Sequence, residues 1–224
     1  MRVLIIGAGN MGRGIATRLV AGGNEITLFD VDQAKAEALA TDLGGTTPGG
    51  ARVAVAETPA DGAPASDVVI LASWYGANLD VARQLGAALD GKVVIDISNP
   101  LNERFDGLVT EPGTSAVETI RAVLPAGARV VKAFNTTFAG TLVVGRVAGQ
   151  PLDVFIAGDD EGAKEIIARL VRGGGLNPVD VGPLARAREL EALGFLGISL
   201  QERLGTGFMS GWKLLMPAEG GAQG

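Results

Sequence analysis

The sequence contains no cysteine and no histidine. Without cysteine there is no disulfide, no thiolate nucleophile and no cysteine-ligated metal. Without histidine the commonest metal ligand is gone, and so is the usual proton carrier at neutral pH. No metal site is therefore expected. Aromatic residues are scarce, with one tyrosine and two tryptophans in 224 residues, so a reaction that needs a side-chain proton donor has few candidates. Positive charge is also short. The 19 Lys and Arg stand against 25 Asp and Glu, and the net charge of -6 argues against a general nucleic-acid binder. No apolar run approaches the roughly 18 residues that would span a membrane. Met1 and Arg2 lead straight into VLIIG, so no secretory leader is expected and a soluble, cytoplasmic protein is.

Apolar residues and glycine are abundant. Hydrophobic residues make up 47% of the chain, enough for a sizeable core, and the 34 glycines point to many tight turns and close backbone approaches. Short β-branched runs alternate with helical periodicity. Strands are expected at 2–6 (RVLII), 25–29 (EITLF), 52–56, 67–73 (DVVILAS), 92–98 (KVVIDIS), 128–135 (ARVVKAFN) and 152–158, followed by a short PVDVG. Helices are expected at 10–21, after a cap at Asp32, at 80–89, 114–124 and 160–172, and as one long helix over 184–204. This alternation predicts an α/β fold: a doubly wound, mainly parallel Rossmann sheet with a short C-terminal helical extension. The expected units are a Rossmann dinucleotide-binding domain over 1–182, a C-terminal helical segment over 183–217, to which the family resemblance described below adds a pocket-closing role, and a flexible tail over 218–224.

The stretch GAGNMGRG carries Gly7, Gly9 and Gly12 in G-x-G-x-x-G spacing, directly after a strand and opening a helix. In that context the pattern reads as a dinucleotide grip. Gly7 permits the turn, Gly9 lets the backbone approach a pyrophosphate, and Gly12 lets the helix pack on the strand. The helix N-terminus offers free N–H groups to the phosphates. Asp30 ends the second strand 18 residues after Gly12. It is placed to accept both ribose hydroxyls and to repel a 2′-phosphate, which favours NAD over NADP. Capping of the turn beside Asp32 is the structural alternative. Lys35, one turn into the next helix, is placed to reach a phosphate at the same spot.

Several stretches point further: GAGNMGRGIATRL, DVVILASWYGANLDVARQL, VVIDISNPL, RVVKAFNTTFAGTL, FIAGDD, PVDVGPLARARELEAL and GTGFMSGWKLL. In this order they resemble the NADPH-dependent reductases of coenzyme F420, an 8-hydroxy-5-deazaflavin, over residues 1–217. The resemblance implies that NADP(H) lies across the glycine loop with the deazaflavin ring stacked on the nicotinamide. It implies that Ala8, Gly9, Asn10 and Met11 meet the pyrophosphate and that Ser73 and Trp74 flank the cofactor. Asn135 and Ala139 would sit near the nicotinamide, and Ser210 would face the second substrate. One position departs from the family pattern. NADP-using members usually carry a Ser/Thr-Arg pair after the second strand, where this chain has Asp30 and Val31 with Lys35 as the remaining cation.

The side chains available for acid–base chemistry are Tyr75, Lys132, Asp96, Glu111 and Lys213. Transfer of hydride between a nicotinamide and a deazaflavin asks little of them, because the two cofactors carry the reaction and the protein supplies distance and orientation. A ketone or imine reductase would rely on Tyr75 or Lys132 instead. A dinucleotide-binding redox sensor would need neither. Lys132, in an apolar strand, has a structural reading as well: it snorkels out at the sheet edge or pairs with a carboxylate. Asn99, before Pro100, stands where open α/β sheets bind ligands, as a substrate contact or as a turn residue. Arg186 and Arg188 are candidates for an anionic substrate tail, or for pairing with Glu189 and Glu191. Small-molecule or flavin-like substrates are the expected partners. The long helix and the apolar residues Phe208, Trp212, Leu214 and Leu215 allow a homodimer.

Overall fold

A computed structural model of the protein describes residues 1–44 and 52–217. The tail expected at 218–224 lies outside the described residues. In chain order the elements are β1 (Arg2–Ile6), α1 (Asn10–Ala21), β2 (Glu25–Phe29), α2 (Gln33–Gly44), β3 (Val53–Val55), α3 (Pro59–Gly62), β4 (Val68–Leu71), α4 (Tyr75–Leu85) and β5 (Val93–Asp96). There follow α5 (Ala116–Val123), β6 (Arg129–Lys132), α6 (Ala139–Val144), β7 (Arg146–Val147), β8 (Gln150–Pro151), β9 (Asp153–Gly158), α7 (Glu161–Gly173), β10 (Asn177–Gly182) and α8 (Ala187–Leu204).

Eight strands among the described residues form one sheet in the order β3-β2-β1-β4-β5-β6-β9-β10. The first six are parallel and carry the strand order of a dinucleotide-binding sheet. β9 then joins β6 antiparallel, and β10 lies parallel to β9. The strands are apolar throughout because both faces are covered. Val3 and Ile5 join the core beneath α1, α2 and α7, while Leu4 and Ile6 join the core beneath α4 and α5. Full burial of each such side chain contributes about 1.5–3 kcal/mol.

Several elements are shorter than the periodicity suggests, and two helices are built differently. The helix expected at 80–89 begins at Tyr75 and gives way to a 3-10 turn over Gly86–Leu89. A polar residue, Asn78, occupies a fully buried position in its first turn, so the apolar repeat starts late. The helix expected at 184–204 opens with a 3-10 turn over Leu184–Arg186 before α8. The short elements α3, α6 and the β7–β8 hairpin carry too few residues for a detectable period. The antiparallel junction of β9 with β6 has a consequence for the site. It turns the start of β9 toward the carboxyl edge of the parallel strands, where β5 and β6 also end.

Candidate active site at the carboxyl edge of the sheet

The glycine loop is built as its spacing requires. Gly7 sits at φ +116°, a conformation side chains rarely adopt, and a Cβ there would meet Ala72 O of the neighbouring strand at 2.6 Å. A Cβ on Gly12 would lie 1.9 Å from Gly7 O, so α1 closes directly onto the turn. Gly9 is different. Nothing lies within 4 Å of the Cβ it lacks, and it is exposed at the N-cap of α1. No side chain caps α1 and no acid occupies its first turn. The positive end of the helix therefore faces an open surface over Gly9 and Asn10, while Met11 packs back onto the core.

Asp30 is tied to this loop. Its Oδ2 accepts the N–H of Ala8 at 2.7 Å, and its Oδ1 accepts the N–H of Asp32 at 2.9 Å. Val31 projects into solvent with 94% of its surface exposed. Lys35 is exposed and pairs with Asp32 at 3.5 Å. Across the edge, the Ser73 N–H donates to Asn78 Oδ1 at 3.1 Å. Trp74 is 66% exposed and meets Phe105 edge-on, ring centroids 6.0 Å apart. Tyr75 opens α4 and packs against the apolar layer beneath it. Glu111 is exposed in the loop after β5.

The ends of β5 and β6 hold a buried polar cluster. Lys132 is fully buried. Its ammonium donates to Asp96 Oδ2 at 2.7 Å, to Glu191 Oε1 at 2.8 Å and to the carbonyl of Ser98. Burial alone would lower the lysine's proton affinity, but the two carboxylates outweigh it and hold Lys132 above its ordinary value. Burial pushes the Glu191 carboxyl up, against the pull of Lys132 and of the Ala116 N–H. Asp96 also accepts from Asn78 Nδ2 and from the Ser98 hydroxyl. The network thus runs from the Ser73 turn through Asn78, Asp96 and Lys132 into α8.

Beside it lies an amide pair. Asn99 Nδ2 donates to Asn135 O at 2.9 Å, and Asn135 Nδ2 donates to Asn99 Oδ1 at 2.9 Å and to Leu190 O at 2.8 Å. Asn135 is buried, and its Oδ1 has no partner. The loop bearing Asn135 turns at Phe134, which is held at φ +65°, and leads to Ala139 at the start of α6. Ala139 O lies against Gly14 of α1, which brings the glycine-loop helix and the Asn135 loop side by side.

The C-terminal segment crosses the same edge. Phe208 meets Phe138 edge-on at 5.4 Å, and a Cβ on Gly140 would lie 2.8 Å from Met209 Sδ. Ser210 Oγ exchanges hydrogen bonds with the Gln201 amide of α8. Trp212 packs over Gly197. Lys213 and the Leu214 N–H both bond the buried Asp153 at the start of β9. Ser210 is thus anchored to α8 through Gln201, and the segment passes beside the loop that carries Asn135 and Ala139.

The fold brings together Gly9, Asp30, Asn99, Asn135 and Ala139 on one edge. It engages the two arginines elsewhere: Arg186 with Glu189 at 3.0 Å and Arg188 with Glu118 at 2.6 Å. Glu191 is not their partner but that of Lys132. Its burial was legible in principle, because Glu191 shares a helical face with Ala187, Leu190 and Gly194. Asn78, Asp153 and Gln201 carried no motif that would single them out.

Residues 2–100 match the model of a family described as NADP oxidoreductase, coenzyme F420-dependent. The chain is 30% identical over 210 residues to the F420-dependent NADP reductase of Methanocaldococcus jannaschii, covering 89% of this chain and 92% of that one. The chain belongs to the F420-dependent NADP reductase family. That family is one of NADP-dependent oxidoreductases. A crystal structure from Arthrobacter, described as that of a proposed F420-dependent NADP reductase, superposes with a TM-score of 0.81 at 30% identity, covering 96% of this chain and 99% of the other. The rat metalloreductase STEAP3 is 32% identical over 193 residues, covering 86% of this chain, which spans only 36% of the rat protein's length. Among the described residues, no helix is long and apolar enough to cross a membrane.

The residues present fit a dinucleotide of the kind the family name implies. The open cone above Gly9 leaves room for a pyrophosphate, the uncapped N-terminus of α1 supplies donors, and the unpartnered Asn135 Oδ1 supplies a buried acceptor.

Proposed function

We propose that this protein moves a hydride between a nicotinamide dinucleotide and a deazaflavin-type acceptor. The observation that carries the reading is the pairing, on one sheet edge, of an open, uncapped glycine-loop helix with a buried amide pair, in a chain that has no histidine and no cysteine. The chain divides accordingly into a dinucleotide-binding unit over 1–182 and a closing segment over 183–217.

The dinucleotide, when bound, supplies or receives the hydride. The residues do the rest. The N–H groups around Gly9, Asn10 and Met11 bind phosphate, Asp30 bonds a ribose, and Asn135 and Ala139 orient the nicotinamide end. Ser73 and Trp74 flank it, and Asn99 and Ser210 face the acceptor. The C-terminal segment keeps water away from the reacting faces. Lys132 and Tyr75 have no proton-transfer role in this scheme. Lys132 has its ammonium engaged by three acceptors, and Tyr75 packs on the core. The carboxylate of Asp30 favours NAD(H), while family membership favours NADP(H) with Lys35 as the available cation. The apolar surface of Phe208, Leu214 and Leu215 supports pairing with a second copy.

The test mixes purified protein with oxidised deazaflavin and either NADPH or NADH and follows the deazaflavin's visible absorbance. Bleaching is expected, faster with one nucleotide than with the other. Binding of dinucleotide with no bleaching by either would overturn the reading in favour of an imine or ketone acceptor, or of a sensor.

A further inference from the structure

A lysine whose side chain is wholly inside a sheet is costly unless every donor is met, and apolar residues of similar volume would stabilise such a site as well or better. Lys132 is nevertheless there, and its three acceptors lie on three different pieces of the fold: Asp96 on β5, the Ser98 carbonyl on the loop beyond it, and Glu191 on α8. Two of these anchors are sequence neighbours of the partners of Asn135. Ser98 precedes Asn99, and Leu190 precedes Glu191. Gly194, one turn along α8, has no room for a Cβ, which would come within 2.6 Å of Asn99 Oδ1. The ammonium therefore fixes the two backbone segments between which the Asn99–Asn135 pair is held.

We infer that Lys132 and Glu191 are positioning residues. They set the distance and tilt of α8 and the 98–99 loop, and so aim the Asn99–Asn135 amides, and Asn135 Oδ1 in particular, at the nicotinamide end of the dinucleotide. The inference rests on the dinucleotide site proposed above but not on the identity of the acceptor. Neither residue touches the reacting atoms. Their effect is on the orientation of groups that do, to which hydride transfer is sensitive.

The experiment separates stability from orientation. In Lys132→Met/Asp96→Asn/Glu191→Gln all three buried charges are removed together while acceptors for the Ser98 hydroxyl and the Ala116 N–H are kept, so the melting temperature is expected to stay near that of the wild type. The single variant Glu191→Gln, which keeps shape but not charge, serves as the second probe. Two readouts follow. One is the fluorescence gain of NADPH or NADH on binding, which reports an ordered nicotinamide. The other is kcat with deazaflavin. A retained dinucleotide Kd, loss of most of the fluorescence gain and a kcat reduced roughly ten- to a hundredfold are expected. A wild type that orders the nicotinamide but reduces no deazaflavin would defeat the proposed acceptor. The inference would then be decided by whether the variants lose the fluorescence gain. Variants with both the fluorescence gain and kcat of the wild type would overturn it, as would a Glu191→Gln protein whose only defect is a lower melting temperature.

Discussion

Asp30 and Ala8 lie 22 residues apart in the chain and are joined by a 2.7 Å hydrogen bond from the Ala8 N–H to Asp30 Oδ2. The acid that follows β2 therefore holds the glycine turn, and under the proposed function it also bonds a ribose. Asp30→Ala removes both anchors. It is expected to weaken NADH binding roughly tenfold or more, in line with the loss of a charge-assisted hydrogen bond. The ratio of NADPH to NADH affinity should rise, because a carboxylate no longer faces the 2′-phosphate. Titration of both nucleotides by nicotinamide fluorescence checks this. An unchanged ratio would remove Asp30 from nucleotide selection.

The two glycines of the grip that look alike in sequence should behave differently. Gly12→Ala places a Cβ 1.9 Å from a backbone carbonyl and is expected to destabilise the fold by at least about 2 kcal/mol. Gly9→Ala meets nothing, so its melting temperature should stay close to wild type while dinucleotide binding falls. Thermal melts with and without NADPH separate the two effects. A Gly9→Ala protein that binds normally would mean that the phosphates do not lie over this residue.

Gly194→Ala pushes a methyl against the Asn99 amide. Turnover is expected to fall more than dinucleotide affinity, since the glycine loop is untouched. Steady-state kinetics beside direct binding reports the split, and equal losses in both would contradict it.

The strap at the C-terminus should be acid-labile. Burial works to raise the Asp153 carboxyl, but hydrogen bonds from Lys213, Asn177 and the Leu214 N–H outweigh it and hold the group below the usual carboxylate range. A depressed folded-state value means that the stabilisation is complete above the unfolded pKa, near 4, and is lost as pH falls through the folded one. Asp153→Asn is expected to cost roughly 1–3 kcal/mol at neutral pH. Melts of wild type and variant should keep a constant gap from pH 7 to about pH 5 and converge in the acid range below about pH 4. A gap that persists there would place the stabilisation elsewhere.

The fold class and the glycine turn were legible because both are local. Strand and helix periods are written in neighbouring residues, and Gly7, Gly9 and Gly12 act within one turn. Asp30 was legible from its distance to that turn, although its bond to Ala8 was not. The start of α4 at Tyr75 was obscured by Asn78, a polar side chain buried because it bonds Leu71 O and Asp96 across two strands. Lys132 could be read in sequence only as a lysine in an apolar run, with pairing to a carboxylate among its readings. Which carboxylates, and that Glu191 was one of them 59 residues away, was decided by the docking of α8.

The sequence by itself determined the layered α/β sheet, the glycine turn that opens α1 and the absence of histidine and cysteine, since these follow from composition and short-range spacing. Only the tertiary structure decided which buried charges meet, which glycine faces open space and which faces a backbone, and what the C-terminal strap is tied to. Each of those depends on contacts between segments far apart in the chain. Such contacts are selected by burial and by the need to satisfy every buried donor, and no local pattern encodes them.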